Sequence, residues 1–207
     1  MKRPLLALAV FAAHFGLFSL PFRAEGETGA SAGVARARAA VARLGGRVVE
    51  DETASGRPIV SVDLHGSKVT DGELTFLEDL PRLRSLDLRL TSVGDGALEH
   101  LRTSELTMLN LFRTSVGDEG LARLAGASRL RTLMLGGTKV TDAGLAHLEG
   151  LAELEKLSLF ETAITDAGLI HLSRLTRLEK LLLRGSRVTE DGARALRRSL
   201  PRLRFEE

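Results

Sequence analysis

The chain contains no cysteine, no tryptophan and no tyrosine. Without cysteine it can form neither a disulfide nor a thiolate metal site, and no lipid-modified precursor cysteine follows the apolar N-terminus. Without tryptophan or tyrosine it lacks the amphipathic rings on which carbohydrate recognition rests, which argues against a polysaccharide ligand. Charge of one sign is also scarce. The net charge is +2, but Lys2, Arg3 and Arg23 carry that excess; without residues 1–24, 26 basic side chains face 27 acidic ones, a net of −1. A near-neutral chain gives no electrostatic case for nucleic acid or for an anionic membrane surface.

One long apolar run is present. Pro4 to Leu20 follows Lys2 and Arg3 and is interrupted only by His14, Gly16 and Ser19. A basic start and an apolar core read as a cleaved export signal over residues 1–24, with an uncleaved membrane anchor as the alternative. Cleavage after Gly26 suits the small-residue rule better than cleavage after Ala24, which places bulky Phe22 at the critical position. Either route predicts a protein outside the cytoplasm: periplasmic, in the cell envelope or secreted. Contact with a membrane is expected only through this segment, if it is uncleaved.

Residues 25–58 read as a linker followed by an N-terminal cap. Glu25 to Ser31 is small and polar. Val34, Ala37, Val41 and Leu44 then recur at helical spacing, Gly45-Gly46 stops the helix, and Arg47 to Glu50 forms a short strand. From Ile59 one pattern repeats six times, starting at Ile59, Leu83, Leu106, Leu130, Leu154 and Leu178. The interval is constant except in the second copy, which is shorter by a single residue. The third copy reads Leu106-x-x-Leu109-x-Leu111-x-x-Thr114-x-Val116, then Asp118-x-x-Leu121-x-x-Leu124. This leucine spacing, at a period in the twenties, marks a leucine-rich-repeat solenoid. The fold class expected is therefore α/β: a short horseshoe arc with parallel strands inside and helices outside, repeats over 59–189, and a last helix and C-terminal cap over 190–207. Arg197, Arg198, Arg202 and Arg204 give that cap a solvated outer face.

Two recurring columns read as scaffold. Ser67, Thr91, Thr114, Thr138, Thr162 and Ser186 place a buried hydroxyl where it can bond the backbone of the turn. Asp71, Asp95, Asp118, Asp142, Asp166 and Glu190 begin the outer helices, where negative charge suits the helix N-terminus, with Thr70, Thr141, Thr165 and Thr189 as caps.

The stretch Thr138-Lys139-Val140-Thr141-Asp142-Ala143-Gly144-Leu145 and its echo at 162–169 carry a resemblance. They resemble the cysteine-free bacterial relatives of the cysteine-containing repeats of F-box proteins, and residues 32–205 are similar to small exported repeat proteins of planctomycete-type bacteria. The resemblance implies a protein–protein contact role on this fold. The chain departs from the F-box group in lacking an F-box-like segment and in carrying an export signal, which disfavours a ubiquitin-ligase adaptor.

Function is expected where the copies disagree. Strand alternation projects three outward columns onto the concave face: Ser61, Ser85, Met108, Thr132, Lys156, Lys180; then Asp63, Asp87, Asn110, Met134, Ser158, Leu182; then His65, Arg89, Phe112, Gly136, Phe160, Arg184. The binding residues expected are Asp63, Asp87, Arg89, Met108, Phe112, Met134, Lys156, Phe160, Lys180, Leu182 and Arg184. They run from acidic through apolar to basic, the composition of an interface centre. The competing possibility is that Phe112 and Phe160 merely fold back over the sheet. Ser61, Asp63 and His65 hold the three residue types of a catalytic triad, but same-face neighbours on a strand stand about 7 Å apart and no oxyanion site accompanies them. Asp63, Asp87 and Asn110 suggest a calcium ladder, yet His65 and Arg89 more simply neutralise the carboxylates. His100, His147 and His171 recur on a helix face and read as tolerated polar positions. No catalytic residue, cofactor or metal is expected. The function read from the sequence is a non-enzymatic module that binds a protein partner of unknown identity. The alternative is a self-associating structural component of the cell envelope.

Overall fold

The computed structural model describes residues 25–101 and 105–206, so the export-signal reading of residues 1–24 lies outside the described residues. Helix α1 spans Glu25–Arg43 and includes the stretch 25–31, for which the sequence predicts a linker. With no proline to stop it, a helix formed by the alanine-rich segment extends backward, one hydrogen bond gained per added residue. Its apolar face is the expected one: Ala37 and Val41 are buried, with Val34, Ala40 and Leu44 packed beside them. Gly45 ends the helix with φ 77°. Its N–H donates to the Ala42 carbonyl at 3.0 Å while that of Gly46 reaches back to Val41 at 2.9 Å, the double closure that glycine past a helix end allows. Arg36 forks onto the Asp79 carboxylate at 3.0 and 3.1 Å and ties α1 to the first repeat.

Eight strands form one sheet in sequence order. The first, β1 (Arg47–Glu50), pairs antiparallel with β2 (Ile59–Asp63). All later pairs are parallel: β3 (Ser85–Asp87), β4 (Met108–Asn110), β5 (Thr132–Met134), β6 (Lys156–Ser158), β7 (Lys180–Leu182) and β8 (Arg204–Glu206). Ser61, Ser85, Met108, Thr132, Lys156 and Lys180 stand directly side by side, so the outward columns expected from the period are real neighbours. The residue missing from the second repeat falls between Leu101 and Leu106, and the register from β3 to β4 is unchanged by it.

The return path of each repeat is short. Helices α2 (Asp118–Leu124), α3 (Asp142–Leu145) and α4 (Glu190–Ser199) serve three repeats, and 3-10 turns such as Asp95–Leu101 and Gly168–Leu172 serve others. Only seven residues run from Asp118 to Leu124, room for one or two turns, where the tighter 3-10 form competes well. The core lies between the sheet and these turns. Val62, Leu86, Leu109, Leu133, Leu157 and Leu181 fill it from the strands, and Leu74, Leu98, Leu121, Leu145 and Leu169 from the turns, none more than 3% exposed.

The hydroxyl column acts as expected in four repeats. Thr91, Thr114, Thr138 and Thr162 donate to the carbonyls of Leu88, Leu111, Leu135 and Leu159 at 2.6–2.8 Å. The serines at the two ends do not: the buried Ser67 hydroxyl has no partner, and Ser186 only accepts a long bond from Val188 N–H.

The aspartate column corrects the sequence reading. These carboxylates do not chiefly serve their own helix starts; each receives the next repeat. Asp118 Oδ1 accepts Thr141 N–H at 2.8 Å and its Oδ2 accepts the Thr141 hydroxyl at 2.6 Å. Asp142 holds Thr165 and Asp166 holds Thr189 in the same way. Asp71 and Asp95 accept from Gly94 and Gly117 at 2.7 Å. The Thr141 side chain makes no cap bond; Thr189 accepts Gly192 N–H and Thr165 accepts Ala167 N–H, both at 3.2 Å, and Thr70 forms a capping box with Glu73, which accepts its N–H at 3.1 Å. From the second repeat on, the glycine that follows the acidic position has a matching purpose. A Cβ at Gly120 would stand 2.6 Å from Asp95 Oδ1, and Gly144, Gly168 and Gly192 face the carboxylates of Asp118, Asp142 and Asp166 more closely still. The threonine-aspartate-glycine motif is therefore a joint: one repeat supplies the acceptor, and the next supplies the donors and the space.

Candidate binding face

At the N-terminal end of the strand face, each acid is engaged by its own turn. Asp63 Oδ1 accepts His65 N–H at 3.0 Å and lies 2.7 Å from His65 Nδ1. The strand spacing of about 7 Å does not apply, because His65 lies beyond the end of β2, where the chain turns and brings its ring back. Ser61 has no hydrogen bond to either residue among the described residues, so the three are not linked as a triad. Burial acts to raise the Asp63 pKa, but hydrogen bonds from the His65 backbone and ring, with the charges of His65 and Arg89, outweigh it and hold the carboxyl below its ordinary value. Asp87 accepts Arg89 N–H at 3.0 Å and pairs with Arg89 Nε at 3.3 Å; Asn110 accepts Phe112 N–H at 3.1 Å. These three side chains are turn-closing acceptors of the Asx kind. Among the described residues there is no group of three or more metal-ligating side chains.

The middle of the face is apolar and braced. Phe112 and Phe160 lie two repeats apart, yet their ring centroids approach to 6.3 Å at a tilt of 39°. Gly136 stands between them, and a Cβ there would meet the Phe112 ring at 2.9 Å and Phe160 at 3.2 Å. The rings lean together across that gap and are half-buried, so they partly cover the sheet as well as facing outward. The following residue repeats the device. Arg113 reaches over Gly137 to Glu161 at 3.3 Å, and its guanidinium lies 5.2 Å from the Phe112 centroid. Met108 and Met134 are half-buried beside them.

One residue escapes the sequence reading. The position after the third column is left-handed in every repeat: Gly66, Gly137 and Gly185 adopt φ 67–78°, and Leu90, Arg113 and Glu161 adopt φ 51–58°. In the first five repeats its N–H bonds the next repeat, as Leu90 does to the Phe112 carbonyl at 2.8 Å. Leu90, whose N–H bonds the Phe112 carbonyl, is 51% exposed, an apolar side chain held in a backbone state that favours glycine. A signal for it exists in the sequence, since three of six copies carry glycine there.

The basic end differs from expectation. Lys156 and Lys180 are not open cations: Glu206 of β8 takes both, at 3.6 and 2.9 Å. The Lys180 hydrogen bond, opposed by burial and helped by the charges of Lys180 and Lys156, holds the Glu206 carboxyl below its ordinary value. The C-terminal strand, read in sequence as part of a cap, thus completes the first two columns with Arg204 and Glu206. Leu182 is half-buried beside Ser158, and Arg184 is exposed past the end of β7. On the opposite side, His100 and His171 contact Glu78 and Glu149 of the preceding repeats at 2.7 and 2.6 Å, a ladder across repeats rather than a plain polar surface.

A single sheet in chain order, parallel from β2 onward and returned by short turns at a fixed period, agrees with solved structures. An internalin from Listeria monocytogenes matches 86% of this chain at 19% identity and TM-score 0.54, and this chain spans 54% of that protein. Internalin C2 from Listeria monocytogenes matches 84% of the chain at 19% identity and TM-score 0.50, over 81% of its own length. The fold is a leucine-rich-repeat solenoid. The leucine-rich-repeat ectodomain of the plant membrane receptor kinase GASSHO1/SCHENGEN3 from Arabidopsis thaliana, solved in complex with Casparian strip integrity factor 2, matches 68% of the chain at 21% identity and TM-score 0.51, over 17% of its own length. No family model matches the sequence, and no curated protein does. Among the described residues, no helix of the solenoid is long and apolar enough to cross a membrane.

Proposed function

We propose that the solenoid is a non-enzymatic module that binds a protein partner on its strand face, centred on Phe112, Phe160 and Leu90. The observation that carries this reading is the braced aromatic pair over Gly136, together with an exposed leucine in a left-handed backbone. Apolar anchors held rigid before contact lose little freedom on binding, which is how interface centres gain affinity. Met108 and Met134 add adaptable apolar surface. Asp63, Asp87, Lys156 and Lys180 contribute less, because each is already paired within the chain. The plant receptor ectodomain, whose structure holds a bound factor, illustrates one use of this fold in recognition, and the apolar segment 4–20 supports action outside the cytoplasm.

The test is affinity capture from native envelope extract with the wild-type chain and a Phe112→Ala/Phe160→Ala double variant. The variant is expected to keep its circular dichroism and melting temperature while losing the captured protein. Equal capture by both would overturn the reading.

A further inference from the structure

Strand β1 closes the N-terminal side of the sheet and leaves one of its own edges unused. Leu64 N–H bonds Asp87 of β3 at 2.9 Å, so by strand alternation Asp63 and Ser61 turn their main-chain groups to β1. Their register partners Arg47 and Val49 answer them, and Asp51 continues the series with its N–H on the Pro58 carbonyl at 2.9 Å. Val48 and Glu50 therefore turn N–H and C=O away from β2, to an edge that no other described strand occupies. No backbone bond from outside the sheet reaches them among the described residues. An open edge of this kind invites another strand, and β1 carries no proline to refuse one.

The side chains along that edge are self-complementary. Arg47, Val49 and Asp51 alternate onto the strand face, in line with Asp63 and Ser61. Val49 is 58% exposed, one of three large apolar side chains so open among the described residues. Arg47 has no ion pair there, and the Asp51 carboxylate takes only the N–H and hydroxyl of Thr53. Positive, apolar and negative thus stand in order, with Val49 at the centre. On the α1 side Glu50 is already held by Arg38 at 2.9 Å and Arg57 at 3.4 Å, so selection falls on the strand face.

We propose that β1 pairs antiparallel with β1 of a second copy, two-fold about Val49. Each Val49 faces its mate, each Arg47 meets the other copy's Asp51, and Val48 and Glu50 exchange main-chain bonds with Glu50 and Val48. The interface is isologous, and the two strand faces look out from the same side of one continuous sheet. Residues 1–24, which precede α1, contain no carboxylate to answer Arg47, whereas a second copy brings its own.

The chain has no cysteine, so a single introduced thiol reports a single position. Under mild oxidation the full chain carrying Val49→Cys is expected to form a disulfide-linked dimer. Facing residues of a non-hydrogen-bonded pair have Cα atoms about 4.5 Å apart, within the roughly 4.4–6.8 Å that a disulfide spans. Ser61→Cys, on the same face but one strand further in, leaves its thiols about 14 Å apart and should stay monomeric. Adding Arg47→Glu to Val49→Cys sets two carboxylates against each other and should cut the dimer yield at least fivefold, with an unchanged circular dichroism spectrum. Absence of cross-linking at Val49, which is also the result if residues 1–24 cover β1, overturns the proposal. Equal cross-linking at Val49 and Ser61, or a yield that Arg47→Glu leaves unchanged, overturns it as well.

Discussion

Asp118 of the third repeat holds Thr141 of the fourth, and the same two bonds recur between Asp142 and Thr165 and between Asp166 and Thr189. One layer away, on the strand side of the same repeats, Asn110, Met134 and Ser158 stand in register and have no chemistry in common. The two regions follow one period under different demands. At the joint, each aspartate must fit a neighbour that is itself a copy, so acceptor, donor and glycine are fixed together. On the strand face a side chain meets its neighbours only at the edges, and the backbone ladder holds the register without it. Variation is therefore tolerated there, and binding residues can collect there.

The contrast between joint and face breaks most clearly at the glycines. Gly144→Ala places a methyl group against the Asp118 carboxylate and is expected to destabilise by about 1–3 kcal/mol, as overpacking does. Asp118→Ala alone should cost less, about 0.5–1.5 kcal/mol, because the exposed Thr141 donors can turn to water. The double variant, measured by urea denaturation, should cost clearly less than the sum, because removing the carboxylate makes room for the methyl. Strict additivity would mean that the two residues do not share one joint.

On the strand face the expected sign reverses. Leu90→Gly releases a left-handed backbone that costs a leucine about 1–2 kcal/mol, part of which glycine's greater unfolded freedom offsets. The variant should gain about 0.5–1 kcal/mol of stability, read as a higher melting temperature, while weakening partner capture. A loss of stability would show that Leu90 is held by packing within the chain.

The smallest effect concerns acid. The Thr189 side-chain and backbone hydrogen bonds hold the Asp166 carboxyl below its ordinary value of 3.8, against a small opposing effect of burial. A depressed folded-state pKa gives stability that is complete above the unfolded value and is lost as pH falls through the folded one. Melting temperature should therefore drop between about pH 5 and pH 2.5, and Asp166→Asn should drop by less over that interval. Equal drops would remove Asp166 from the acid response.

Much of the fold is legible in the sequence. Regular spacing places every strand of the repeats, and the register Ser61 to Lys180 follows from counting. The threonines at 91, 114, 138 and 162 are readable because their acceptors lie on the same turn. The aspartates are recognisable as scaffold but point, in sequence, to their own helices, since their true partners lie one whole repeat further along the chain. Lys156 and Lys180 read as open cations because Glu206 comes from a strand outside the six copies. Leu90 gives no signal of its own, because nothing in a leucine announces a left-handed backbone; the glycines at 66, 137 and 185 announce it for their column.

By itself the sequence determined the solenoid, its register and the residues that face outward, because covalent spacing sets which positions stack once one repeat is placed on the next. Only the tertiary structure decided how those side chains are used. It closed Phe112 onto Phe160 across Gly136 and bound two lysines with Glu206. Those outcomes depend on close distances between residues far apart in the chain, and on which neighbour is small. A repeating pattern does not encode either.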